Sequence, residues 1–108
     1  MKTLDEFLED ATYPNNAYVT HPDFKELYVR RTRRFLDGVW VNGVLDIARI
    51  EAKKPGDGCF TRMTALLLLR GIPLYIECVH NQRFADRLER MGYTRVDNSG
   101  APSFYRLS

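Results

Sequence analysis

The stretch RIEAKKPGDGCFTRMTALLLLRGIPLYIECV, residues 49–79, decides how the chain is read. It opens as a strand-like run, meets two lysines and two glycines, continues as a helix-like run and ends strand-like again. Phe60, Met63 and Leu67 share one helical face. Leu66 to Leu69 make residues 59–70 apolar almost all round, which predicts a helix buried on more than one side. Gly71 is placed as its left-handed terminator, and Pro73 keeps the helix from restarting. LYIECV, residues 74–79, is short and apolar on both faces, as a central buried strand requires. A strand–helix–strand unit of this kind sets its two strands parallel.

Outward from this unit the signals change. Asp37-Gly38 stands between RFL and VWV, and Asp-Gly flanked by apolar residues is a strong hairpin signal. Residues 24–36 fit a helical stripe and also fit alternation; the hairpin decides for a strand. The second arm, 39–52, is long, and Gly43 inside it predicts a bulge or bend. Thr3 and Glu6 have capping-box spacing before Leu4, Phe7, Leu8 and Ala11, which predicts a helix over 3–11. YPNN, 13–16, reads as a turn and AYVT, 17–20, as a short strand. Asn81 caps a helix carrying Phe84, Leu88 and Met91 on one face, Gly92 ends it, and SFYRL closes the chain as a strand. The expected fold is one α/β domain, 1–108, with a mixed, mostly antiparallel twisted sheet and flanking helices.

Composition bounds the function. The chain has 108 residues, 44% of them hydrophobic, enough for one core. No apolar run reaches the roughly 20 residues of a membrane span, and MKTLDEFLED lacks the layout of a signal peptide. Two cysteines, Cys59 and Cys78, suggest no secreted disulfide framework, so a reduced, cytoplasmic protein is expected. The net charge of +2 is too small to argue for nucleic acid. The charges are segregated, however: six acids and two lysines fall in residues 1–26, and VRRTRR, 29–34, holds four arginines.

KKPGDG, 53–58, runs into the start of a helix. Exposed N–H groups and the helix dipole meet lysines there, and glycines let a backbone approach an anion closely. The same residues also make a plain tight turn. Lys53-x-x-Gly56-x-Gly58 resembles the R/Q-x-x-G-x-G/A signature of the GNAT superfamily of N-acetyltransferases, with lysine where arginine or glutamine is usual. VLDIARIEA, 44–52, is similar to the family's strand before that loop, and NQRFADRLERMGYTRV, 81–96, to its following helix-and-strand signature. The resemblance covers about 39–105, with 1–38 as a reduced N-terminal part, and is to the small GNAT-like proteins of bacteria and their phages. It implies acetyl-CoA as co-substrate. The pantetheine arm would lie along the strand at Ile50 and Ala52. The pyrophosphate would lie on Lys53, Lys54, Gly56, Asp57, Gly58, Cys59 and Phe60, with Asn81 nearby. An unidentified amine would be the acceptor.

The family's acid tyrosine falls at Leu88, which cannot transfer a proton. Tyr93 and Tyr105 are substitutes, Tyr105 being the one preferred. Glu51 and Glu77 lie in runs that otherwise read as buried, where a lone carboxylate is costly unless paired or functional. Glu77 is read equally as the catalytic base and as the partner of one of the twelve arginines; for Glu51 the partner role is favoured. Cys59, Cys78 and Trp40 read as core and His80 as a surface or loop residue; His21 and His80 lie far apart in sequence with no carboxylate at ligand spacing. No metal site is expected. The arginine run reads as a solvated sheet edge. Three functions stay in play: acyl transfer from acyl-CoA; a non-catalytic module of the same fold, either CoA-sensing or a structural or partner-binding part of a phage or cellular assembly; and a distant nucleic-acid binder. Homodimerisation is left open.

Overall fold

The computed structural model describes residues 1–10 and 15–108. Tyr13, Pro14 and the predicted last helical residue Ala11 lie outside the described residues. In chain order the elements are α1 (Leu4–Glu9), β1 (Asn15–Tyr18), β2 (Phe24–Leu36), β3 (Val39–Ala52), α2 (Cys59–Leu69), β4 (Leu74–Ile76), α3 (Gln82–Arg90), β5 (Thr94–Val96) and β6 (Ser103–Arg106). The strands form one sheet in the order β1-β2-β3-β4-β6-β5. Among the described strands only β3 and β4 pair parallel, joined by the crossover through α2; the other neighbours are antiparallel.

Local chemistry accounts for the boundaries. Asp37 and Gly38 both take positive φ, 52° and 78°, the backbone a two-residue hairpin turn needs. That makes β2 and β3 the longest pair in the sheet. Gly43, φ 68°, lies where the register slips between Thr32↔Val44 and Arg34↔Val41, so β3 carries the extra residue of a bulge. The capping box at Thr3 and Glu6 forms, and Asn81 Oδ1 accepts from the Phe84 N–H at 3.0 Å. Asn15 and Asn16 belong to β1 and not to a turn, because both pair with β2.

All three helices lie on one face of the sheet. Leu4 and Phe7 of α1, Phe60, Met63 and Leu67 of α2, and Ala85 and Leu88 of α3 pack with alternate residues of the central strands, Val29, Ile47, Ile76 and Phe104 among them. The other face carries a small cluster, Leu36, Val44 and Tyr75 with Tyr105 and Leu107, and no helix contributes to it. Several expectations fail for related reasons. With only one face covered, α2 buries one side, and Leu66 and Leu69 stand 63% and 83% exposed. Trp40, expected in the core, is 58% exposed at the hairpin end, where it meets Phe35 edge-on and Arg33 over its ring. Cys78 is exposed, because β4 stops at Ile76 and Cys78 turns the chain with φ 49°.

Tyr93 is buried in the core with no hydrogen-bond partner for its hydroxyl among the described residues, and burial pushes its pKa up. Tyr93→Phe removes an unsatisfied group and is expected to raise unfolding free energy by about 1 kcal/mol. Urea unfolding checks this, and a loss of stability would show that the hydroxyl is satisfied after all.

Candidate active site

Two irregularities part β3 from β4. Their pairing ends at Ile47↔Ile76, closed by a last bond from Glu77 N–H to Ile47 O at 3.0 Å. Beyond it β3 bulges: Val29 pairs with Ile47 but Tyr28 with Arg49, so Ala48 is the extra residue. On the other side the chain turns away at Cys78 and is tied to the next strand's approach. Cys78 N–H donates to Ser103 Oγ at 3.1 Å, and Val79 N–H to Pro102 O at 2.8 Å. Residues 49–52 therefore pair with β2 on one side and with no described strand on the other. The gap is a cleft of about 520 Å³ whose lining includes Ile50, Glu51, Glu77, His80, Asn81 and Phe84.

Glu77 is the most elaborately placed of these. It extends to the helix-free face, where Arg30 Nη1 donates to both its oxygens at 2.8 Å. Next to it Asp46 is fully buried. Asp46 accepts from Thr32 Oγ1 at 3.0 Å and from Arg34 through Nε at 3.0 and 3.2 Å and Nη2 at 2.6 Å. Arg34 Nη2 is also 3.9 Å from Glu77 Oε2, and its guanidinium lies over the Tyr75 ring at 3.8 Å. Burial, then the charge of Asp46, push the Glu77 pKa up, and Arg30 opposes them. Glu77 thus has the arginine partner that one of its two readings expected, and it also lines the cleft.

The glycine turn follows directly from β3. Gly56 and Gly58 take φ 85° and 82°, where L side chains are strained, while an added Cβ meets nothing at Gly56 and only Arg62 Nη1, at 3.4 Å, at Gly58. The glycines serve backbone conformation, and space is open around them. Asp57 Oδ1 accepts the Cys59 N–H at 3.0 Å, so the chain's own carboxylate caps α2. That bond, with Arg62 and Lys54 nearby, holds the Asp57 pKa down. Cys59 is buried and its thiol is pushed up by burial, which makes it a packing residue. Lys53 faces a larger apolar groove of about 810 Å³ between α1 and α2, walled by Met63, Leu66 and Leu69.

The structure brings Ile50, Glu77 and Asn81 into one cleft; Ala52, Lys53, Lys54, Gly56, Asp57, Gly58, Cys59 and Phe60, at the end of β3, in the turn and at the start of α2, are not among the residues lining it, and Lys53 lines the groove between α1 and α2 instead. Tyr105 does not join them. It pairs with Tyr75 on the helix-free face and lines a separate hollow beside Arg34 and Trp40. Glu51 is exposed, not buried, and its cross-strand neighbour is Glu26, whose cation is Arg49 at 3.5 Å. Leu88, at the family's tyrosine position, is 0% exposed in the core. The arginine run is not a solvated edge. β1 covers Tyr28–Arg31, Arg30 and Arg34 hold carboxylates, and Arg31 bonds Gly43 O and Leu8 O at 3.1 and 3.4 Å. Sequence reading missed Asp46 and Arg34; a lone aspartate in an apolar strand run was the available signal.

Among the described residues no group of three or more His, Cys, Asp or Glu side chains could hold a metal ion, and no helix is long and apolar enough to cross a membrane. No family model, curated protein or solved structure matches the chain.

Proposed function

We propose that the protein binds acetyl-CoA and transfers its acetyl group to an amine. The observation that carries this is the parting of β3 from β4, which frees the backbone of residues 48–52 and leads straight into the two-glycine turn before α2. In this reading the pantetheine arm bonds the free edge of β3 near Ile50 and Ala52. The pyrophosphate lies at the turn, with Lys53 and Lys54 supplying charge. The amine nitrogen bonds to the thioester carbonyl carbon and the carbon–sulfur bond breaks. Glu77 takes the proton the amine sheds, water protonates the thiolate, and backbone N–H groups polarise the carbonyl. Two free cysteines suit a reducing, cytoplasmic setting.

Acetyl-CoA at about 100 times its dissociation constant is expected to stabilise the fold by roughly 2.7 kcal/mol. That is a melting shift on the order of 10–20 °C. A flat calorimetric trace with millimolar acetyl-CoA and an unmoved melting point would defeat the reading. Gly58→Val, at φ 82°, is expected to lose the binding.

A second reading, a non-catalytic module of the same kind, is favoured by Leu88, which is packed into the core at the acid position, and by Asp57, which occupies the start of α2. Binding without turnover over a panel of amines would select it.

A further inference from the structure

We propose that the cleft at Glu77 takes a zwitterionic amine, such as a free amino acid presents, with its ammonium against Glu77 in the cleft wall and its carboxylate reaching Arg30, which stands outside the lining but 2.8 Å from Glu77. This rests on the acyl-transfer reading and names the class of its acceptor. Two ion pairs stand side by side here, and they differ. Arg34 and Asp46 are locked, with three contacts of 3.2 Å or less on a fully buried carboxylate. Arg30 is the more open member, its side chain 40% exposed with its guanidinium over the Tyr28 ring; Glu77 is 18% exposed, takes its short hydrogen bonds from one arginine nitrogen and has Arg34 Nη2 3.9 Å away. A pair with a solvent-facing partner contributes little net stability, so it can be parted by a ligand.

What parts it is set by charge. A simple amine would satisfy Glu77 and leave Arg30 to solvent, gaining nothing from its charge. A simple acid would satisfy Arg30 and strand Glu77. A ligand carrying both charges replaces one pair by two and leaves neither group alone. Asp46 and Arg34 beneath are locked to each other and take no part in the exchange. The neighbouring charges in the cleft are themselves mixed: Arg49 pairs with Glu26 at 3.5 Å, and Glu51 stands exposed. Ile50 and Phe84 give the cleft an apolar side for the ligand's own side chain.

The test uses three matched probes on the whole chain, with and without CoA: L-norleucine, n-pentylamine, which is norleucine without its carboxylate, and hexanoate, which is norleucine without its amine. Binding is read from amide shifts of residues 47–51 and 77–81. Norleucine is expected to bind at least roughly ten-fold tighter than either half-probe. Arg30→Gln is expected to bring it down to the level of pentylamine, and Glu77→Gln to the level of hexanoate. Arg49→Gln is expected to leave the preference in place. Pentylamine binding as tightly as norleucine to the wild-type chain, or no probe shifting these amides at millimolar concentration with or without CoA, overturns the proposal. So does a preference that Arg49→Gln abolishes and Arg30→Gln does not. The wild-type comparison decides even if a variant misfolds. Because the probes are also titrated without CoA, their result is separate from that of the acetyl-CoA titration.

Discussion

Arg34→Met is expected to lower the unfolding free energy by about 3–5 kcal/mol, the cost of leaving a buried charge without its partner. For a domain of this size that is a fall in melting temperature on the order of 15–30 °C. Asp46 is fully buried, and apart from the Thr32 hydroxyl its hydrogen bonds come from the Arg34 guanidinium. Without Arg34 the nearest cation, Arg30, is already engaged by Glu77. The stacking of Arg34 on Tyr75 would be lost as well. Adding Asp46→Leu to Arg34→Met removes the stranded charge, so the double variant is expected to recover most of the loss. Arg33→Gln, whose guanidinium covers only the exposed Trp40, should change stability by no more than about 0.5 kcal/mol. Urea unfolding of the four proteins checks the set. A loss below about 1 kcal/mol for Arg34→Met would mean that Asp46 is not charged or not isolated as the geometry requires.

The contrast between Arg33 and Arg34 shows where sequence reading stops. The hairpin at Asp37-Gly38, the caps at Thr3 and Asn81 and the terminators at Gly71 and Gly92 rest on local backbone chemistry, and the structure has each of them. The arginines could not be sorted this way, because their partners are distant in the chain: Asp46 lies 12 residues from Arg34, and Glu77 lies 47 from Arg30. Alternation told that neighbouring arginines would face opposite sides, and not which side held a buried carboxylate. The same limit applies to Leu66, Leu69 and Trp40. Apolar character predicts burial only where another layer covers the residue, and the packing of all helices on one face was not readable from any single segment. For the candidate site, the glycine turn and Glu77 were legible as residues. The cleft between them was not, since it depends on a bulge at Ala48 and a left-handed backbone at Cys78, a residue type that seldom adopts it.

Glu77→Gln is expected to lower kcat for acetyl transfer by about 10²–10⁴-fold, the usual contribution of a positioned base. The acetyl-CoA affinity should be nearly unchanged, because the turn at 53–58 and the free edge of β3 are untouched. The pH dependence gives an independent handle. Burial, followed by Asp46, holds the Glu77 pKa above its ordinary value of 4.5. The rising limb of the rate with pH should therefore lie above the usual carboxylate range and vanish in Glu77→Gln. Stability carries the same signature with a definite sign. Between the unfolded and folded pKa values of Glu77 the folded chain binds more protons than the unfolded one. The contribution is thus fully present below the unfolded value and is lost as pH rises through the folded one. Glu77→Gln should flatten that part of the stability profile. This slope needs no substrate, so it tests the electrostatics even if no acceptor has been found. A variant with turnover within about ten-fold of wild type and an unshifted limb would move the proton-accepting role elsewhere. An unchanged stability slope would show that Arg30 balances burial and Asp46 at this carboxylate, leaving Glu77 as a simple salt-bridge partner.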